Sequence, residues 1–362
     1  MKIVVAPDKF SGTLSAAQAA SAIAAGWRRI RPEDELVLVP MADGGEGTLA
    51  VLAAAVHGAE RLEMEVADAL GRPVAASWLR LPDGRAVVEA AEACGLSRLG
   101  PRERDPLRTT SYGVGQLLCA VAATGAKEVV VGLGGSATVD GGAGMAIALG
   151  HRLLRADGNG LKVGGAFVHE VDRVIPGPDL GMRVRVAADV ANPLLGPNGA
   201  AAVFGPQKGA DAEGVAVLEA GLAALADAAE RDLGGGPWRD IPGAGAAGGL
   251  GFALMAFCEA SVVSGAALVG ELVGLEQALK GAAVVVTGEG SLDAQSGEGK
   301  APAYVRERAK ANGALALAVA GRVRDGAGAA FDAVAELGPE GVQRAAELIQ
   351  ERTAVLAAAV PA

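Results

Sequence analysis

The chain has 362 residues, of which 51% are hydrophobic and only 3% aromatic, and it contains 54 glycines. Its length exceeds the roughly 100–200 residues of one typical domain, which predicts two domains, and its small apolar residues favour an α/β fold. The net charge is −10 at pH 7 and the basic residues are scattered, so the chain has no basic surface that could bind a phosphodiester backbone. No nucleic acid partner is therefore expected.

No targeting or membrane segment is predicted. Met1 and Lys2 lead directly into a strand-like run, without the apolar core or cleavage site of a signal peptide. The uncharged window 241–258 carries a proline and several glycines, which indicates a loop followed by a buried helix and not a membrane span. The three cysteines form no CxxC pair and are expected to be reduced thiols. These features predict a cytoplasmic protein with no membrane partner.

The N-terminal region alternates strand-like runs with alanine-rich helices, which is typical of βαβ units. Strands are predicted at 3–5 and 36–39. A helix is predicted at 15–30, with Leu14-Ser15 at its start, and a second helix begins near Glu46.

From about residue 60 the pattern changes to three alternating runs joined by turns that are rich in Gly, Pro and Asp. These runs cover 61–66, 74–81 and 85–89 and indicate antiparallel hairpins. The elements predicted after them are helices at 109–124, 142–149 and 212–231 and strands at 128–131 and 183–188. A second α/β domain with a mixed sheet is therefore predicted for residues 60–275.

The C-terminal region returns to the βαβ pattern. Its predicted strands are 283–286, 315–320 and 331–335, and its predicted helices are 302–310 and 341–359. Parallel strands need helical crossovers, so we expect the five strands of the two chain ends to form one doubly wound, Rossmann-like parallel sheet. The predicted discontinuous domain covers residues 1–59 and 276–362, and the second domain is inserted into it.

Glycine and acidic residues follow many of the predicted strands, which is where ligands bind in open α/β sheets. The segments concerned are 6–9, 43–48, 132–142, 189–193, 287–293 and 299–300. Glycines let backbone N–H groups approach phosphate oxygens, and carboxylate oxygens suit Mg²⁺. A single Asp after a strand is usually a turn or cap residue, but the recurrence favours a phosphate- and metal-binding site on which these segments converge.

The sequence also contains patterns that bear on other classes of site. The pattern Gly132-x-Gly134-x-x-Ala137 with Asp157 beyond it fits a dinucleotide fingerprint, although Asp157 lies in a turn-like sequence. The pattern GxxxxGK[ST] is absent, so a P-loop kinase is not expected. No Ser/His/Asp or zinc-type spacing supports a hydrolase or a zinc enzyme. An NAD-dependent oxidoreductase of small hydroxy acids and a non-catalytic hydroxy-acid sensor remain as alternatives to a kinase.

Taken together, the motifs resemble the bacterial glycerate kinase family over nearly the whole chain. The family-like blocks are APDKF at 6–10, MADGGEGT at 41–48, GLGGSAT at 132–138, DGGAGMA at 140–146, ADVANPL at 188–194, FGPQKGA at 204–210, PGAGAAGGLG at 242–251, TGEGSLDAQS at 287–296 and GKAP at 299–302. The resemblance implies transfer of the ATP γ-phosphoryl group to glycerate, usually giving 2-phosphoglycerate. The chain departs from the family at Ser11, where lysine is common, and at Val139, where asparagine is common. If the family's lysine neutralises phosphate, either Lys9 takes over that role in this chain or the role lies elsewhere.

The resemblance also suggests roles, because phosphoryl transfer needs a metal, cations for the phosphates and a carboxylate near the attacking hydroxyl. The expected catalytic residues are Asp189, Lys9 and Lys300, and the expected Mg²⁺ ligands are Asp189, Glu289 and Asp293. The expected glycerate-binding residues are Asp8, Asp43, Gly44, Gly45, Glu46 and Thr48. The expected nucleotide-binding residues are Gly134, Gly135, Ser136, Thr138, Asp140, Gly141, Asn192 and Lys208. ATP and glycerate are the expected partners, and the sequence is compatible with a homo-oligomer.

Overall fold

The computed structural model describes residues 1–293, 300–324 and 326–361. Residues 294–296 of the TGEGSLDAQS block and Gly299 lie outside this part. The strands are β1 (Lys2–Val5), β2 (Glu35–Leu38), β3 (Glu60–Ala67), β4 (Pro73–Arg80), β5 (Arg85–Glu89), β6 (Glu128–Gly132), β7 (Arg152–Arg155), β8 (Val171–Ile175), β9 (Arg183–Ala187), β10 (Ser261–Val263), β11 (Val284–Leu292), β12 (Leu315–Val323) and β13 (Ala333–Glu336).

The α-helices alternate with these strands over much of the chain. They are α1 (Ala16–Arg28), α2 (Thr48–Ala55), α3 (Ala90–Cys94), α4 (Tyr112–Ala123), α5 (Ala143–Ala148), α6 (Ala200–Phe204), α7 (Ala212–Leu233), α8 (Ala246–Cys258), α9 (Gly265–Leu272), α10 (Leu275–Leu279), α11 (Ala301–Ala311) and α12 (Ala345–Ala359). None of the described helices combines the length and the apolar composition needed to cross a bilayer.

The chain divides into two compact units. The first unit comprises Met1–Asp43, Ala50–His57 and Ser264–Ala362, and the second comprises Gly44–Leu49 and Gly58–Val263. The domain boundaries predicted at 59/60 and 275/276 stay a prediction.

The first unit is built on a parallel sheet of five strands in the order β13-β12-β11-β1-β2. The predicted α/β fold with one doubly wound sheet from both chain ends is confirmed. Ile3, Val4 and Val5 are all fully buried, as expected for a β-branched run in a parallel sheet that is covered on both faces. The Ser15 side chain caps α1 in a capping box with Gln18, which confirms the predicted helix start.

The second unit contains a mixed sheet of six strands in the order β10-β9-β6-β5-β4-β3. As predicted, β3, β4 and β5 pair antiparallel, whereas β5, β6, β9 and β10 are parallel. The sequence analysis did not predict the small antiparallel pair of β7 and β8 or the short elements α3, α6 and β10. Charged residues interrupt the apolar pattern of β7 and β8, β10 has only 3 residues, and α3 and α6 have 5 residues each, which is little more than one helical turn.

Candidate functional site

An acidic cluster lies at the carboxyl ends of β1 and β11 in the first unit. In chain order the sheet of this unit is arranged 2-1-3-4-5, so β1 and β11 flank the topological switch point at which such sheets bind ligands. The backbone N–H of Asp8 donates to Gly288 O at 2.8 Å, which keeps the segment after β1 beside β11. Both Asp8 and Glu289 are buried there.

A cavity of about 360 Å³ opens at this position. It is lined by Asp8, Lys9, Ser11, Asp43, Glu289, Gly290, Ser291, Asp293 and Lys300. The structure therefore brings together six residues that the sequence analysis placed in three different roles. Ser11, noted as a departure from the family pattern, lies in the same lining.

The electrostatics of this acidic cavity oppose full ionisation of its carboxylates. Burial, with a contribution from the nearby Asp43 carboxylate, raises the pKa of Asp8 to about 7. Burial also raises the pKa of Glu289 to about 8, and the neighbouring Lys300 opposes this shift. Lys300 Nζ lies 3.8 Å from Asp293 Oδ2. The cavity therefore favours a cation.

Glycines at this edge of the first sheet allow the backbones to pack closely. A Cβ atom on Gly288 would come within 2.2 Å of Val319 O, and one on Gly321 within 2.4 Å of Gly290 O. The sequence analysis interpreted the glycines of 287–293 as points of ligand approach. Their contacts give them a packing role as well, because any side chain would push β11 and β12 apart.

The donor set of this cavity suits a hard divalent cation. Glu289 Oε1 is buried and has no hydrogen-bond partner among the described residues. Within that part of the chain, no three His, Cys, Asp or Glu side chains form a ready-made metal site. Mg²⁺ in phosphate-transferring enzymes is usually held by one or two carboxylates together with waters and substrate phosphates, so the residues of the cavity fit such an ion. Asp189, the third predicted ligand, belongs to the second unit.

The second unit carries a glycine platform, which we define as residues 44–47 together with 132–136. A Cβ atom on Gly132 would come within 2.3 Å of Gly44 O, and one on Gly134 within 2.4 Å of Gly45 Cα. Only glycine allows the two segments to meet in this way. Two blocks that are far apart in the sequence thus pack backbone against backbone.

Glu89, which the sequence analysis missed, fixes the first segment of the platform. Its buried carboxylate accepts hydrogen bonds from the backbone N–H of Leu49 at 2.6 Å and of Gly47 at 3.3 Å. The Thr48 hydroxyl donates to Gly45 O at 2.7 Å, so this predicted substrate contact also stabilises the turn. The sequence offered one signal, which is a glutamate at the end of the apolar run Arg85–Glu89. A carboxylate that is buried with such a run is expected to have a partner, because carboxylates are seldom fully buried unless they are paired.

Asp140 holds the chain that follows the platform. Its buried carboxylate accepts hydrogen bonds from the N–H and the hydroxyl of Ser111, at 2.8 and 2.9 Å, and from Gly142 N–H at 3.1 Å. Gly141 and Gly142 have φ values of +62° and +75°, which glycine adopts readily. The hydrogen bonds of Asp140 therefore go to backbone N–H groups and to the Ser111 side chain, which gives this residue a structural role in the turn.

The remaining predicted residues of the second unit lie after β9 and around residue 208. The Asn192 side chain donates to Asn198 O at 2.7 Å, and its backbone carbonyl accepts from Gly245 N–H at 2.9 Å. Asp189 is half-buried. Lys208 Nζ donates to Ser136 Oγ at 3.0 Å and to Thr138 O at 2.8 Å. The predicted convergence of all these segments on one site stays a prediction.

The dinucleotide alternative finds little support in the geometry. Asp157 accepts from Asn159 N–H at 3.0 Å and pairs with Arg155 at 2.8 Å in an exposed turn after β7. This position differs from the end of the second strand, where a ribose-binding carboxylate stands. The helix after the glycine-rich turn, α5, has only 6 residues.

Comparisons with known proteins agree on one family. The family model described as "Glycerate kinase family" matches residues 3–360. The chain is 44% identical over 333 residues to Glycerate 2-kinase of Escherichia coli K12, covering 91% of this chain and 87% of that protein. It is 40% identical over 375 residues to Glycerate kinase of Bacillus subtilis 168, covering 99% and 98%.

A solved structure has the same fold. The crystal structure of a Salmonella typhimurium LT2 protein assigned as a glycerate kinase 2 superposes with a TM-score of 0.86 at 39% identity, covering 99% of this chain and 97% of that one. These matches decide between the enzyme classes that the sequence analysis left open. The chain therefore belongs to the glycerate kinase family and is a phosphotransferase.

Proposed function

We propose that this chain phosphorylates glycerate, with ATP as the phosphoryl donor and Mg²⁺ as the metal, and that the product is 2-phosphoglycerate. The observation that carries the proposal is the set of carboxylates and lysines around one cavity at the switch point of a kinase-family sheet. The position of phosphorylation is proposed from the relative named Glycerate 2-kinase, at 44% identity.

We assign the Mg²⁺ site to Glu289 and Asp8, with Asp293 close by. When bound, Mg²⁺ would neutralise charge that develops on the phosphate oxygens during transfer. Raised pKa values of about 8 for Glu289 and about 7 for Asp8 indicate carboxylates whose charge is not yet balanced within the protein. A cation removes this cost, so the two residues are better metal ligands than fully hydrogen-bonded carboxylates.

Lys9 and Lys300 are the proposed phosphate contacts, since both line the same cavity. Lys300 stands at the N-cap of α11, a helix of 11 residues with proline in its first turn. The positive end of the helix dipole therefore adds to the charge of the lysine. The cavity has four carboxylates and only two lysines, so a divalent cation can still bind there. The two lysines can in addition contact the phosphates of a nucleotide.

Asp189 is the proposed general base, which would accept the proton of the attacking glycerate hydroxyl. It follows β9 closely, and Asn192 comes three positions later. The first segment of the glycine platform and Asp43 are proposed to orient the carboxylate and hydroxyl groups of glycerate. The platform turn from Gly134 to Ser136, with Thr138, Asp140 and Gly141 after it, is proposed to bind phosphate through its backbone N–H groups.

A coupled assay for ADP release tests the proposal. With D-glycerate, ATP and Mg²⁺ present, we expect ADP release that depends on all three. ADP release that does not require glycerate, or no release under any condition, would contradict the proposed reaction. The cytoplasmic location and a homo-oligomeric state remain predictions of the sequence.

A further inference from the structure

Lys208 is the most enclosed of the lysines to which the sequence analysis gave a role. Its side chain is only 3% exposed, and its Nζ donates to Ser136 Oγ at 3.0 Å and to Thr138 O at 2.8 Å. Both acceptors belong to the turn after β6. A buried ammonium group needs hydrogen-bond acceptors, because an unpaired buried charge is very costly. Two of the three N–H donors of the ammonium group are therefore used within the turn, and the side chain is almost completely enclosed, which leaves little of it open to a phosphate.

The carbonyl of Thr138 is also enclosed from another direction. A Cβ atom on Gly248 would come within 1.9 Å of Thr138 O, and Gly141 N–H donates to Gly248 O at 3.1 Å. Three successive residues there, Ala247–Gly249, are left-handed, with φ values of 54°, 73° and 90°. An alanine rarely adopts this conformation unless its surroundings require it. The Thr138 peptide is thus held between Lys208 and a strained backbone segment.

Fixing this carbonyl fixes the direction of the next N–H group. In a trans peptide the C=O and N–H bonds point to opposite sides, so a Thr138 carbonyl that faces Lys208 turns the N–H of Val139 away from it. The bond to Ser136 Oγ fixes the turn at a second point, two residues earlier. Lys208 therefore controls which way the backbone of this turn presents its donors.

We propose that Lys208 is a positioning residue that holds the turn from Ser136 to Thr138 in the conformation needed for phosphate binding and does not itself contact phosphate. This proposal rests on the proposed function of the turn and replaces the phosphate contact predicted from the sequence. Burial also lowers the pKa of Lys208 to about 8, although the neighbouring Cys94 and Asp140 oppose this shift. A side chain at a solvated phosphate site would not be desolvated to this degree.

Lysine labelling followed by mass spectrometry tests the placement of Lys208 without any need for turnover. The folded protein is treated with an amine-methylating reagent, with and without MgATP. We expect Lys208 to stay unmodified in both samples, whereas the exposed Lys127 of the same unit is modified in both. Modification of Lys208 in the free protein, with or without protection by MgATP, would overturn the proposal.

Kinetics then test how Lys208 acts. Replacing it in Lys208→Met keeps the stem and removes the two bonds, with Lys127→Met as the matched control. A shifted turn should lower kcat by about tenfold to 100-fold and weaken ATP and ADP to a similar extent. A direct contact with the γ-phosphate, which ADP lacks, predicts instead that ATP is weakened about tenfold more than ADP, and this result would overturn the proposal.

A double variant adds a second criterion. If Lys208 acts through the turn, the effects of Lys208→Met and Ser136→Ala on kcat should not be additive, because both remove the same hydrogen bond. Full additivity would count against the proposal. If Lys208→Met does not fold, labelling of the wild-type protein still decides the placement. Absence of glycerate phosphorylation in the wild type would contradict the proposed function and would leave the labelling result intact.

Discussion

The carboxylate of Glu89 accepts a hydrogen bond from the backbone N–H of Leu49 at 2.6 Å, across 40 positions of sequence. A second bond, from Gly47 N–H, goes to its other oxygen at 3.3 Å. These bonds hold the segment whose glycines pack directly on Gly132 and Gly134. One buried acidic side chain thus holds a platform of which it is not itself a part.

Glu89→Gln should therefore loosen the platform. Glutamine keeps one acceptor but presents an NH₂ group to a backbone donor, so we expect a loss of about 1–3 kcal/mol in the free energy of unfolding. The KM for glycerate should rise, since the segment that Glu89 holds is proposed to bind it. Urea unfolding and steady-state kinetics measure both effects. Glu63→Gln, at an exposed position of the same unit, is the control and should change neither value. An unchanged KM in Glu89→Gln would remove the proposed link to substrate binding.

Gly134→Ala should be poorly tolerated although its φ is not left-handed. The added Cβ would come within 2.4 Å of Gly45 Cα, and backbone atoms cannot rotate away as a side chain can. Overpacking of this kind typically costs about 1–3 kcal/mol. Gly160→Ala is the matched control, because a Cβ at that position meets nothing within 4 Å. Equal unfolding midpoints for the two variants would show that the platform is not packed as described.

Stability should depend on pH through Glu289. Its pKa in the folded state, about 8, lies above the ordinary value of 4.5, so the folded protein favours the protonated form. The contribution of the protonated Glu289 to the free energy of unfolding is complete below about pH 4.5 and is lost as the pH rises through about 8. In the absence of metal, Glu289→Gln should therefore gain stability relative to the wild type between pH 5 and pH 8, by on the order of 2–4 kcal/mol.

Urea unfolding of both proteins at pH 5 and pH 8 measures this difference. Subtracting the two unfolding free energies at each pH removes the contributions of titratable groups that the two proteins share. Glu340→Gln replaces an exposed carboxylate of the same unit and serves as the control. A difference between Glu289→Gln and the wild type that does not change with pH would contradict the burial of an uncompensated carboxylate.

Asp189→Asn should remove general-base catalysis while the fold is kept. Such a base typically contributes about 10²–10⁴-fold to the rate, so we expect kcat to fall at least about 100-fold with little change in KM. Asp172→Asn, at an exposed position of the same unit, should leave kcat unchanged. If kcat of Asp189→Asn stays within about threefold of the wild type, Asp189 is not the base.

Local sequence patterns predicted most of the secondary structure, because apolar periodicity and helix caps depend on residues that are close together in the sequence. The β-branched run of β1 and the Ser15 cap of α1 are examples. The residues of the acidic cavity could be proposed because each lies near or after the carboxyl end of a strand, and these ends share one edge of the sheet. That edge is common to parallel strands whatever their order.

The supporting roles could not be predicted in this way, although Asp140 and Lys208 were named as nucleotide-binding residues. Glu89, Lys208 and Asp140 act on backbone atoms that lie far away in sequence, and nothing in their own neighbourhood identifies the partner. Glycine-rich segments were also ambiguous. A glycine that admits a phosphate and one that admits another backbone give the same sequence pattern, and only the contacts of Gly132 and Gly134 distinguish the two.

Phosphorus NMR of the reaction product tests the central claim most directly. The protein is incubated with D-glycerate, ATP and Mg²⁺, and the spectrum is compared with those of authentic 2- and 3-phosphoglycerate. We expect ATP to be converted to ADP while one new signal, that of 2-phosphoglycerate, appears. A signal of 3-phosphoglycerate would contradict the proposed position of transfer, and a spectrum with no phosphoglycerate would contradict the proposed reaction itself.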